Sequence, residues 1–169
     1  YGADFDGDGI RDQLVVSYND GGRGRGVADV IFGKDILPGA TLDLTTPSSQ
    51  SVRITGGNYE TVAYQSAADD IDGDGKADLL VSAVNSNSSY VQFIYGSALS
   101  AGGTINLSTA LPSDQGFRIT STTPRDYFGR EAKIVGDLNG DGIRDYAFGS
   151  DGTNLSGQSV GSIYIVYGG

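Results

Sequence analysis

Three stretches of the 169-residue chain repeat one acidic pattern. Asp4-Phe5-Asp6-Gly7-Asp8-Gly9-Ile10-Arg11-Asp12 returns as Asp70-Ile71-Asp72-Gly73-Asp74-Gly75-Lys76-Ala77-Asp78, and again as Asp137-Leu138-Asn139-Gly140-Asp141-Gly142-Ile143-Arg144-Asp145. Positions 1, 3, 5 and 9 of every copy carry an oxygen-bearing side chain. Hard cations such as Ca²⁺ take six to eight oxygen ligands at about 2.3–2.6 Å, and a tight loop that turns alternate side chains inward supplies them. Glycine at position 6 permits the sharp backbone turn, as in an EF-hand loop. Position 7 offers its backbone carbonyl, so its side-chain type is immaterial. The candidate ligand sets are therefore Asp4, Asp6, Asp8, Ile10 and Asp12; Asp70, Asp72, Asp74, Lys76 and Asp78; and Asp137, Asn139, Asp141, Ile143 and Asp145.

An EF-hand is excluded on two counts. Its bidentate Glu at position 12 is replaced by Val15, Val81 and Phe148, and the flanks are strand-like. Closure by the Asp at position 9 gives a compact loop between strands instead. Eleven of the 21 acidic residues fall at ligand positions. Carboxylates crowded this closely repel unless a cation neutralises them. Three Ca²⁺ ions would offset six of the ten formal negative charges. Mg²⁺ suits the loops less, because it demands strict octahedral geometry and keeps its waters. Asn139 replaces an Asp in the third copy, so that site is expected to be the weakest. One loop repeated at three equivalent places argues for scaffolding, since an active centre is normally unique.

The loops need strands to hold them. They recur at offsets of 66 and 67 residues, and the surroundings recur with them. Leu14-Val15-Val16, Leu79-Leu80-Val81 and Tyr146-Ala147-Phe148 follow the loops. Runs ending in Phe32-Gly33, Tyr95-Gly96 and Tyr167-Gly168 come next. Leu42-Asp43-Leu44 pairs with Ile105-Asn106-Leu107, and Val52-Arg53-Ile54-Thr55 with Phe117-Arg118-Ile119-Thr120. Val62-Ala63-Tyr64 and Ala132-Lys133-Ile134-Val135 precede the later loops. Short β-branched or aromatic runs bounded by Gly, Asn, Asp or Ser are strands, and no sustained helical period interrupts them. The chain reads as all-β, with about four antiparallel strands per period: the blades of a β-propeller, partial or incomplete, about three in number. The acidic loop would join the first strand of a blade to the second. A β-solenoid or stacked sandwich is the competing architecture, but solenoid coils are usually much shorter than this period. The repeats run over about 1–57, 58–124 and, truncated, 125–169. Tyr1 is not a translation start, so the chain is expected to be a processed product or a segment of a longer array, or else a protomer whose neighbours complete its blades.

These features resemble the FG-GAP repeat, the blade of integrin α-chain propellers and of many bacterial surface and secreted proteins. The resemblance rests on the three loops, on Phe128-Gly129 ahead of the third, and on the strands ending Ile31-Phe32-Gly33, Ile94-Tyr95-Gly96 and Val166-Tyr167-Gly168. The Leu-x-Leu and x-Arg-Ile-Thr segments look more like the bacterial branch. It implies a Ca²⁺-stabilised propeller, extracellular or at the cell surface, used for adhesion or ligand binding, with calcium held at Asp4, Asp6, Asp8, Asp12 and their counterparts. Partners would be a protein or glycan ligand, or neighbouring copies or flanking repeats of the same protein. Glu60-Thr61 departs from the Phe-Gly expected in the second repeat. Integrin propellers have seven blades, whereas this chain holds fewer than three whole ones. Two alternatives to adhesion remain: a building block of a surface layer or fibre joined through open blade edges, and a non-catalytic module of a secreted enzyme.

Composition narrows the rest. A net charge of −10 opposes nucleic acid and anionic membranes, and no apolar run approaches the roughly 20 residues of a bilayer span. Cys and His are absent, which removes disulfides, thiolate chemistry, imidazole ligands and the usual base for a serine nucleophile. Outside the loops Asp29, Asp43 and Asp114 stand in no recognisable catalytic setting, so no catalysis is expected. Gly21-Gly22-Arg23-Gly24-Arg25-Gly26 reads as a solvated hairpin tip. Tyr95 and Tyr167 are expected in the core, and the Asn-x-Ser sequons at Asn87, Asn106 and Asn154 decide nothing.

Overall fold

Runs of β-branched and aromatic residues bury one or both faces of a pleated strand, and the described residues form thirteen strands, most of them of this kind. The computed structural model describes residues 2–20, 25–45, 48–57, 61–84, 89–123, 125–152, 154–155 and 158–168. Strands β1 (Gln13–Asp20), β2 (Arg25–Ile31) and β3 (Ser51–Thr55) form the first sheet with the short β7 (Thr104–Asn106). The second sheet is β4 (Thr61–Asp69), β5 (Asp78–Val84), β6 (Ser89–Ile94) and β8 (Gly116–Ser121), all antiparallel. β9 (Glu131–Gly136), β10 (Asp145–Ser150) and β13 (Ser162–Val166) make the third, and β11 (Asn154–Leu155) pairs with β12 (Gln158–Ser159) in a small hairpin. The only helical turns among the described residues are single 3₁₀ turns at Gly33–Asp35 and Gly96–Ala98. The chain is thus all-β, with successive propeller-like blades and no closed barrel.

Two apolar clusters fix how the sheets stack. Leu14, Ala28, Val30 and Ile54 of the first sheet pack with Val62, Leu79, Val81 and Ile94 of the second. Leu80, Val91 and Phe93 on the second sheet's other face pack with Phe128, Ala132, Tyr146 and Phe148. The middle sheet is therefore buried on both faces, and β5 and β6 are buried almost throughout, the polar Ser82 and Gln92 included. Phe93 is the hub of the second cluster: its ring lies 4.1 Å from Phe117, stacked, and 4.8 Å from Tyr146, edge-on. Phe93→Ala is expected to cost about 3–5 kcal/mol through lost transfer energy and a residual cavity. Urea unfolding measures it, and a loss below about 1 kcal/mol would contradict this packing.

Among the described residues the third sheet has no such cover on its far side. Ile163 and Ile165 occupy the positions of Val91 and Phe93, but are 78% and 43% exposed where their counterparts are fully buried. Tyr167 is 60% exposed and Tyr95 half-buried, which corrects the expectation that both sit in the core. The physical reason is positional: a tyrosine ending the third strand of a blade is covered by the next blade.

The two Leu-x-Leu segments also differ. Ile105 lies in β7, which pairs parallel with β3 of the preceding blade and buries that side chain beside Ile54. Leu42-Asp43-Leu44 forms no strand, having no earlier sheet edge beside it among the described residues. Both segments are nonetheless tied down by the arginine of x-Arg-Ile-Thr. The Arg53 guanidinium donates to the carbonyls of Leu44 and Thr45, and Arg118 to those of Leu107 (2.8 Å) and Thr109 (2.9 Å). Residues 21–24 of the basic Gly-Arg segment lie outside the described residues.

Candidate metal centres in the acidic loops

The second loop joins β4 to β5 and the third joins β9 to β10; the first precedes β1 in the same way. The loops adjoin. The Ala77 amide donates to the Asp4 carbonyl (2.8 Å), and Arg144 forms an ion pair with Asp69 at the edge of the second loop. Within each loop the position-1 carboxylate is the organiser. Asp4 accepts from the amides of Gly7 (2.7 Å), Asp8 (3.1 Å) and Gly9 (2.8 Å). Asp70 accepts from Gly73 (2.8 Å) and Gly75 (3.0 Å), and Asp137 from Gly140 (2.6 Å), Asp141 (3.2 Å) and Gly142 (2.7 Å). These amides, that of Gly142 foremost, hold the Asp137 carboxyl below its usual range.

The glycines at positions 4 and 6 all have φ between 77° and 88°. At Gly9, Gly73, Gly75, Gly140 and Gly142 a Cβ would meet nothing within 4 Å. The left-handed backbone, not shortage of space, therefore demands glycine there. Positions 3 and 5 make short Asx turns: Asp6 accepts from the Asp8 amide (3.3 Å) and Asp8 from Ile10 (2.7 Å), and the other loops repeat the pattern.

Position 9 has a role that the loop spacing alone conceals. Asp12, Asp78 and Asp145 are fully buried. Each reaches back to the position-2 amide, Phe5 (2.7 Å), Ile71 (2.8 Å) or Leu138 (2.6 Å). The other oxygen accepts from the glycine of the aromatic–Gly pair, at 2.8 Å for Gly33, 2.7 Å for Gly96 and 3.0 Å for Gly168. The carboxylate thus clips the loop to the end of the blade's third strand. Desolvation raises the Asp12 and Asp78 carboxyls above their usual range, opposed by those same amides. The recurrence of the aromatic–Gly pair in step with the loop was the sequence signal for this clip.

Two oxygens bound to one calcium at about 2.4 Å stand at most about 4.8 Å apart. One carboxylate oxygen from each of Asp4, Asp6 and Asp8 meets that limit, as does one from each of Asp70, Asp72 and Asp78. A hard, all-oxygen donor set of this size fits a calcium ion. The structure does not bring Asp12 into the first group or Asp74 into the second. No third group of carboxylates occurs among the described residues. In that loop the Asn139 amide donates to Asp141 (2.8 Å). Ile10, Lys76 and Ile143 occupy position 7 with their amides held by the position-5 carboxylates.

One charged residue escaped the sequence reading. Lys34, just after Phe32-Gly33, donates from Nζ to Asp6 and stands 4.0 Å from Asp8. That hydrogen bond to Asp6 raises the Lys34 ammonium above its ordinary range. Of the aspartates singled out beyond the loops, Asp29 is buried against Arg53 (2.9 Å), Asp43 holds the Thr45 amide and hydroxyl, and Asp114 is exposed.

No curated protein sequence matches the chain. Residues 62–92 match the family model of the FG-GAP repeat. That span takes in nearly all of β4, the whole second loop, β5 and the start of β6. The FG-GAP repeat is a structural and binding module of integrin-like propellers that occurs in extracellular and surface proteins, and residues 62–92 of this chain are similar to it.

Proposed function

We propose that the chain is a calcium-binding propeller segment of an extracellular or cell-surface protein, serving adhesion or ligand binding and not catalysis. The observation that carries this reading is the threefold loop fold, with carboxylate oxygens converging within 4.8 Å in the first two copies. Asp4, Asp6 and Asp8, and Asp70, Asp72 and Asp78, would hold the ions, with Asp12, Asp74 and the position-7 carbonyls as further donors; Asp137, Asn139, Asp141, Asp145 and the Ile143 carbonyl would form the third site. Calcium supplies charge neutralisation here, not a reaction centre. The position-1 carboxylates already pin the loops, so the ion meets donors arranged in advance. The ligand would be a protein or a glycan. Isothermal titration tests the metal: saturation should approach three Ca²⁺ per chain, with Mg²⁺ binding more weakly. Absence of any binding at millimolar calcium would overturn the proposal. Binding to arrayed glycans and matrix proteins, lost in EGTA, would identify the ligand class.

The exposed far face of the third sheet favours a second reading, a building block joined to neighbouring copies or flanking repeats. Ile163, Ile165 and Tyr167 project where the other blades are covered. An apolar sheet face and an open edge of this kind promote association. Light scattering at micromolar concentration is expected to show species larger than 17.5 kDa. A strictly monomeric, well-folded protein would contradict this second reading and leave the first intact.

A further inference from the structure

The residue after the aromatic–Gly pair differs in each repeat: Lys34, Ser97 and Gly169. In the first repeat Asp12 holds the Gly33 amide at 2.8 Å, which fixes the start of the 3₁₀ turn Gly33–Asp35. That turn sends the Lys34 side chain past the Phe32 ring, 5.5 Å from Nζ to the ring centre, and into the first loop. The ammonium donates to Asp6, whose side chain is largely shielded, and lies 4.0 Å from Asp8. Among the described residues no ion pair reaches a position-1, -3 or -5 carboxylate of the second or third loop.

We infer that Lys34 is a tethered counter-ion of the first loop, competing with calcium for Asp6 and Asp8. This rests on the calcium reading above. A divalent ion entering the first loop must displace the ammonium or sit beside it, and either costs affinity. The second loop has Ser97 at that position, and its own Lys76 lays its stem against Gly7 of the first loop and forms no ion pair with Asp70, Asp72 or Asp74 among the described residues. The first loop therefore binds calcium more weakly than the second despite its full set of aspartates, and depends on it less for its fold. Lys34 sets the calcium level at which the first site fills. The loop sequence alone, which singles out Asn139, gives no hint of this.

Loop-resolved NMR tests it, with the amides of Gly7 and Gly9 reporting the first loop and those of Gly73 and Gly75 the second. In a calcium titration the first pair should reach its midpoint at a higher concentration than the second. Lys34→Met keeps the stem over Phe32 and removes the charge. It should lower the first loop's midpoint about tenfold, the scale of repulsion between a single and a double charge about 5 Å apart in a water-like dielectric. The second loop's midpoint should not move. In EGTA the variant should melt below the wild type, because Asp6 loses the ammonium bonded to it and Asp8 the one beside it. Lys34→Gln provides the same readout should the Met variant fail to fold. A first-loop midpoint unmoved by both variants, with calcium still bound, would overturn the role of Lys34 alone. No glycine shift in any loop at millimolar calcium would overturn the calcium reading and this inference with it.

Discussion

Replacing Asp78 with alanine is expected to destabilise the protein by about 3–5 kcal/mol, since each buried amide left without an acceptor costs about 1–3 kcal/mol. The Asp78 side chain accepts from Gly96 at 2.7 Å, from Ile71 at 2.8 Å and from Asp72 at 3.3 Å. The Gly96 bond is buried, and the Ile71 and Asp72 bonds are part-buried. The loss is tempered by the relief of a desolvated carboxylate, the same burial that raises its pKa. Asp78→Asn should cost less, because the amide oxygen still serves one donor while its NH₂ faces the other. Urea denaturation of the calcium-free protein isolates this structural role from any effect on metal. A loss below about 1 kcal/mol for the alanine variant would show that position 9 does not clip the blade.

Calcium removal is the second large effect. A ligand that binds only the folded state stabilises it by about 2.7 kcal/mol at a concentration about 100-fold above its Kd. Three such sites would contribute about 8 kcal/mol, and melting in EGTA should fall by roughly 15–30 °C for a chain of this size. The first loop contributes less to this difference than the second, because Lys34 already neutralises part of it. The unfolding should also become less cooperative, since adjoining loops lock together through the Ala77–Asp4 hydrogen bond and the Arg144–Asp69 ion pair. Scanning calorimetry with and without EGTA measures both. Identical melts would leave the loops as self-sufficient Asx turns.

Much of this was legible in the residue pattern. The strands flanking the loops were marked by β-branched and aromatic runs, and the loops by a spacing that only a fixed turn geometry would repeat. Glycine at position 6 was read as permitting the sharp turn, and the structure shows the same left-handed backbone at position 4. The rest was hidden because it depends on what lies alongside. Ile105-Asn106-Leu107 and Leu42-Asp43-Leu44 look alike, yet only the former finds a strand edge to pair with. Tyr95 and Tyr167 end equivalent strands, yet among the described residues only the former has a following blade beside it. The position-2 residues grade in the same way: Phe5 is fully buried, Ile71 partly, and Leu138 is 57% exposed. Lys34 was invisible because a loop 22 residues from Asp12 brings it there, and no local spacing records that contact.

Crystals grown in millimolar calcium would show whether divalent ions occupy these loops. Anomalous difference maps should place a peak among Asp4, Asp6 and Asp8 and a stronger one among Asp70, Asp72 and Asp78, with a third beside Asp137 and Asn139. Maps showing only water at all three loops would contradict the account.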